Sequence, residues 1–142
     1  MRIGCELRES GGEFAGVILV EGRAASGGRA EVFAPLSVVW PDGGIRITDG
    51  HGGDHLADAA PRRGEAGRIE VRTEATGAIR AAVEAGRRWM SVEFHSLRER
   101  TTRGGVREIL RALVDAAALT DAPEYDATAA EVRGARRRRA WL

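Results

Sequence analysis

The chain reads as a strand-rich α+β domain, and three observations predict it. Segments with two-residue alternation or a short apolar run recur between glycine and proline turns, from Val17-Ile-Leu-Val20 to Trp89–Leu97. One segment, Thr76 to Gly86, has helical spacing instead. The chain has 142 residues, 43% of them hydrophobic, which suits one domain of ordinary size with its own core.

Arg2 to Arg8 and Glu13 to Glu21 read as strands, with a hairpin turn at Gly11-Gly12. The unbroken apolar run Val17–Val20 predicts burial on both faces. Val32 to Trp40 is apolar, interrupted by Pro35, and stops at the turn Pro41-Asp-Gly-Gly44. Ile45 to Thr48 alternates and leads into a glycine turn around His51. Gly52 to Gly67, with its glycines, Pro61 and mixed charges, reads as a loop. Arg68 to Thr73 alternates as a strand with one wet face.

In the helix, Thr76 is placed to cap the N-terminus and Gly86 to stop the C-terminus, while Ile79 and Val83 share a face. Trp89 to Leu97 is a strand, followed by the turn Thr101-Thr-Arg-Gly-Gly105. The next segment, Val106 to Leu119, is ambiguous. Its Ala, Leu and Arg content favours helix, whereas the preceding turn favours a paired strand.

Charge is nearly balanced at +1, with 22 basic residues, all arginine, against 21 acidic ones. Only Arg136-Arg-Arg-Arg139 is a run, and it reads as a solvated basic tail, residues 136–142, after a single domain over 1–135. Aromatics are 5%, too few for a base-stacking platform, so nucleic acid is not expected as a partner. No apolar stretch approaches membrane-spanning length and no signal peptide is visible. The lone Cys5 has no partner for an internal disulfide and fits a buried strand position. Together these features favour a reducing cytoplasm.

The chemistry converges on a few side chains. On a strand, Ser91 shares a face with Trp89, Glu93 and His95, while Met90, Val92 and Phe94 point to the core. That puts the Ser91 hydroxyl on a polar surface of a rigid element. A serine becomes a nucleophile when a base takes its proton, and histidine is the usual base near neutral pH. His51, between Gly50 and Gly52-Gly53, is the candidate base, and Asp115 is an acidic candidate for orienting it. No Gly-x-Ser-x-Gly elbow is present, which argues against an α/β-hydrolase. His51, Asp54 and His55 lack helical spacing and a second ligand pair, so neither a metal site nor any other cofactor is expected.

In order and spacing these motifs resemble the prohead maturation proteases of tailed bacteriophages, which are related in fold to the herpesvirus capsid maturation protease. The resemblance is carried by Thr48-Asp-Gly-His-Gly-Gly-Asp54 at a strand end, then Arg68–Thr73, Thr76–Gly86 and Met90-Ser-Val-Glu-Phe94. It closes with Leu113-Val-Asp-Ala-Ala-Ala-Leu-Thr-Asp-Ala-Pro-Glu-Tyr-Asp-Ala127, and spans about Phe14 to Val132. Glu93 stands where the family usually has glycine.

The resemblance implies a mainly antiparallel, barrel-like, herpesvirus-protease-like core with one or more inserted helices. It resolves Val106–Leu119 as strand. It implies a serine endopeptidase with Ser91 as nucleophile, His51 as general base and Asp115 as third member. The substrate would be the major capsid protein or a scaffolding protein, and in some cases the protease itself. The setting would be assembling proheads in the cytoplasm of a bacterial host. A homodimer or higher oligomer is left open by this reading. The alternative is an inactive member of the same fold that serves as a capsid-assembly or scaffold interaction protein.

Overall fold

The computed structural model describes residues 12–22, 31–122 and 130–133. The predicted strand Arg2–Arg8, Cys5, Gly11 of the first turn, the domain boundary at 135 and the arginine run 136–139 lie outside the described residues. Among the described residues there are ten strands and one α-helix, arranged as two open sheets.

The smaller sheet is antiparallel, in the order β10-β1-β7-β6. Its strands are β1 (Glu13–Val20), β6 (Arg62–Arg63), β7 (Arg68–Glu74) and β10 (Ala130–Arg133). β1 pairs with β7 along its length, with a register shift between Val17 and Leu19. That irregularity turns both Ile18 and Leu19 into the core, while Val17 and Val20 are half-buried. The run Val17–Val20 is therefore not buried on both faces. A bulge, rather than a doubly covered strand, makes it continuously apolar.

The larger sheet is built on β9 (Arg107–Thr120). One edge of β9 pairs antiparallel with β8 (Trp89–Thr101). Its other edge carries three short strands end to end, all parallel to it: β2 (Glu31–Phe33), β3 (Val38–Val39) and β4 (Ile45–Asp49). β5 (His55–Ala59) adds antiparallel to β4. The pairing is thus mixed, and neither sheet closes into a barrel among the described residues.

Tertiary contacts override helix propensity in β9. Ala112, Ala116, Ala117 and Ala118 are fully buried, hemmed in by strands on both edges. Small side chains suit that position, and pairing on both edges outweighs a few tenths of a kcal/mol of helix preference per residue.

The expected loop from Gly52 to Gly67 instead contains β5, β6 and a short 3₁₀ turn at Glu65–Gly67. β6 is two exposed residues and β5 buries only Ala59, with Leu56 and Ala57 half-buried, so neither carries a clear hydrophobic periodicity. Helix α1 (Gly77–Glu84) begins as predicted, with Thr76 Oγ1 accepting from the Ile79 amide at 3.3 Å. It buries Ile79, Ala82 and Val83, and Gly86 follows it at φ +102.

Pro35 separates β2 from β3, and Glu21 repairs the break. Its buried carboxylate accepts from the amides of Leu36 (3.1 Å) and Val38 (3.0 Å). Arg63 donates to the same carboxylate and to the Val38 carbonyl, with its guanidinium 5.2 Å from the Trp40 ring centroid. Burial pushes the Glu21 carboxyl up, but Arg63 and the two amides outweigh it and hold it below the usual range. Among the described residues no helix is long and apolar enough to cross a membrane.

Candidate active site

The register of the larger sheet sets the floor of the site. Ser91 stands opposite Ala118 and Glu93 opposite Ala116, while Thr48 and Arg46 of β4 flank the same two alanines. Directly opposed residues share a face, so Ser91, Glu93, Ala116 and Ala118 line one side of the sheet. The other side belongs to the core, with Met90, Val92, Ala117 and Leu119. The expected split of β8 into a polar and an apolar face is present. The methyl side chains at 116 and 118 keep the floor low between β4 and β8.

His51 reaches over that floor from a tight turn at the end of β4. The Gly53 amide donates to the Gly50 carbonyl at 3.1 Å, closing a four-residue turn with His51 at its second position. Gly52 has φ +71, the left-handed conformation that a type II turn requires at its third residue. At Gly53 a Cβ would lie 1.8 Å from the Asp49 carbonyl oxygen, so only glycine fits. The Gly50 amide is bonded to the Leu119 carbonyl, which ties the turn to β9. Arg87, just ahead of β8, places its Nε 2.8 Å from Asp49 Oδ1 and ties the same turn to the β8 side.

These constraints bring His51 and Ser91 together. His51 Nε2 lies 3.0 Å from Ser91 Oγ, and His51 Nδ1 lies 2.8 Å from Glu93 Oε2. An ionised carboxylate only accepts, so Nδ1 carries the ring hydrogen and donates to Glu93. In the neutral imidazole Nε2 is then the acceptor, and Ser91 donates to it. Ser91 is 3% exposed rather than displayed on an open surface, whereas the His51 side chain above it is 51% exposed.

Asp115 does not meet His51. Its carboxylate accepts instead from His95 Nε2 at 3.3 Å. A register shift in the β8–β9 pair sets the side on which Asp115 lies. Glu93 pairs with Ala116 and Phe94 with Val114, which leaves Asp115 as the unpaired residue of a bulge. The bulge brings Asp115 onto the open side beside Leu113, where it meets His95, and Glu93 holds the place on His51 that the sequence reading gave to Asp115. The signal for Glu93 was present in the sequence, since it lies two residues from Ser91 on the same strand face.

His55 is engaged with Asp58 at 3.0 Å and does not join His51. No group of three or more His, Cys, Asp and Glu side chains among the described residues is arranged to hold a metal ion. Chemically, the arrangement is a hydroxyl whose proton has an acceptor, an imidazole, held in turn by a carboxylate. Such a line can generate an alkoxide-like oxygen and stabilise the imidazolium that results. Comparison of the chain with family models, with curated proteins and with solved structures found no match.

Proposed function

We propose that this chain is a serine endopeptidase with Ser91 as nucleophile, His51 as general base and Glu93 as the group that orients the imidazole. The observation that carries the reading is the continuous hydrogen-bonded line from Ser91 Oγ through His51 to Glu93, with contacts of 3.0 and 2.8 Å. In this mechanism Ser91 Oγ attacks the scissile carbonyl as His51 Nε2 takes its proton. His51 then gives that proton to the leaving amine, forming an acyl-enzyme that water opens with the same base. Glu93 faces the ring nitrogen that is not exchanging protons and balances the transient positive charge.

The substrate class rests on the resemblance to prohead maturation proteases, including a barrel-like core of the herpesvirus-protease kind. It names the capsid or scaffolding protein of an assembling prohead as the target. A fluorophosphonate probe provides the first test, because it reacts with activated serines and its position can be read by mass spectrometry. It is expected to label Ser91 and to spare the Ser91→Ala variant. Co-expression with a prohead major capsid protein is expected to yield a shortened capsid protein or self-cleavage, lost in Ser91→Ala. Labelling elsewhere, or equal processing by both chains, would remove Ser91 from the mechanism. Absence of labelling and of processing would favour the assembly-protein alternative.

A further inference from the structure

The polar face that holds Ser91 continues along the β8–β9 pair and ends in two arginines. Past the Asp115 bulge, His95 pairs with Leu113, Ser96 with Ala112, and Arg98 with Arg111. Ala112 and Val114 point into the core, whereas Arg111, Leu113 and Asp115 lie on the more open side. Arg98 and Arg111 are both exposed and stand directly opposite each other. Like charges in that relation destabilise a sheet.

The nearby carboxylates are already committed. Glu108 accepts from Arg100, and Glu99 accepts from Arg107 and Ser96. Arg107 also binds the buried Glu31, and the arrangement holds the Glu99 carboxyl down at about 2. Among the described residues neither Arg98 nor Arg111 has a carboxylate partner.

We infer that Arg98 and Arg111 form a specificity site for an acidic side chain of the peptide substrate, on the same sheet face as Ser91. The inference rests on the endopeptidase reading above. Ser91 and Arg98 pair with Ala118 and Arg111, so seven positions of β9 separate them. At a strand rise of about 3.3 Å per residue, less the bulges, that is about 20 Å. An extended peptide engaged at Ser91 would set its acidic residue about six positions from the scissile bond. A peptide fits better than a nucleic acid. Glu93 and Asp115 lie on the same face between the two ends and would repel a continuous phosphate backbone, whereas a chain of mixed character meets each charge locally.

The variant Arg98→Glu separates this role from a structural one. It replaces a like-charge opposition by an opposite-charge pair with Arg111, so the melting temperature should rise or hold. Two measurements then follow. In the first, a fluorescein-labelled 12-residue peptide of alternating Glu and Ala is titrated into the Ser91→Ala chain, with and without Arg98→Glu, at low salt. Binding should weaken about twofold to thirtyfold, the worth of two exposed charge pairs. In the second, a defined peptide library is digested by the parent chain and by Arg98→Glu, and the cleaved bonds are mapped.

The parent is expected to enrich Asp or Glu five to seven residues from the cut, and Arg98→Glu to lose that enrichment. Hydrolysis of p-nitrophenyl acetate, which is too small to reach Arg98, should not change. Equal peptide binding by both chains, or an acidic preference untouched by the variant, would overturn the site. So would tighter Arg98-dependent binding of an oligonucleotide of equal charge. If the parent cleaves neither ester nor peptide, the endopeptidase reading fails, and the binding titration alone decides the site.

Discussion

Replacing Glu93 by Gln should slow hydrolysis by about 30- to 1,000-fold, and the size follows from the geometry. The carboxylate accepts from His51 Nδ1 at 2.8 Å, with His51 51% and Glu93 32% exposed on their side chains. In the transition state the ring becomes an imidazolium, so a charge pair forms where the ground state has a neutral ring beside a carboxylate. With charge centres about 4 Å apart and an effective dielectric of about 40–80, as suits these half-exposed groups, the attraction is about 1–2 kcal/mol. The charge-assisted hydrogen bond adds a comparable amount, giving a total of about 2–4 kcal/mol. At about 1.4 kcal/mol per factor of ten, the stated range results. A buried triad carboxylate is worth up to about 10⁴, and the exposure of Glu93 explains the lower figure.

The assay is the pre-steady-state rate of acylation by p-nitrophenyl acetate, with fluorophosphonate labelling as a second readout. Asp115→Asn is the paired control. Its carboxylate contacts His95, not His51, so the acylation rate should fall by less than about threefold, the effect of a surface substitution away from the site. A collapse in Asp115→Asn with Glu93→Gln unimpaired would refute the assignment of Glu93 and the register argument behind it.

Two further outcomes test how the fold holds the site. Gly53→Ala would bring a Cβ against the Asp49 carbonyl oxygen, so the turn must shift. We expect about 1–3 kcal/mol lower stability by denaturant unfolding, and a loss of acylation rate of about 10² as His51 moves by about 1 Å. Unchanged activity would mean that the turn does not fix His51. At the Pro35 break, the Glu21 carboxyl is held below its unfolded value, so it contributes stability that is present above the unfolded pKa and lost as pH falls through the folded one. Stability measured from pH 7 down to 3 should therefore drop more steeply for the parent than for Glu21→Gln, which starts lower. Parallel curves would show that Glu21 contributes nothing through its charge.

The parts of the fold legible in the sequence are those where one local rule acts alone. Thr76 caps α1 because its hydroxyl meets an orphan amide, and β7 alternates because one of its faces is wet. The meeting of His51 with Ser91 is different in kind, since 40 positions separate them and only the order and spacing of the surrounding motifs suggested it. What local rules did give was the glycine turn around His51 and the shared strand face of Ser91 and Glu93. What the residues alone left open depends on register. Whether residues 107–120 form helix or strand is decided by β8 on one edge and β2, β3 and β4 on the other, all distant in sequence.

The third member of the site turned on a finer matter still. Unbroken alternation from Ala116 and Ala118 would put Asp115 on the core side with Ala117, whereas the unpaired residue in β9 puts it on the open side beside His95, and neither register brings it to His51. The bulge lets Val114 and Ala117 both face the core while keeping the Asp115 charge out of it. Glu93 needed no such information, since its face was fixed relative to Ser91 by two steps along one strand. Where two carboxylates compete for one imidazole, the one whose placement depends on fewer long-range pairings is the safer inference, and Glu93 is that residue here.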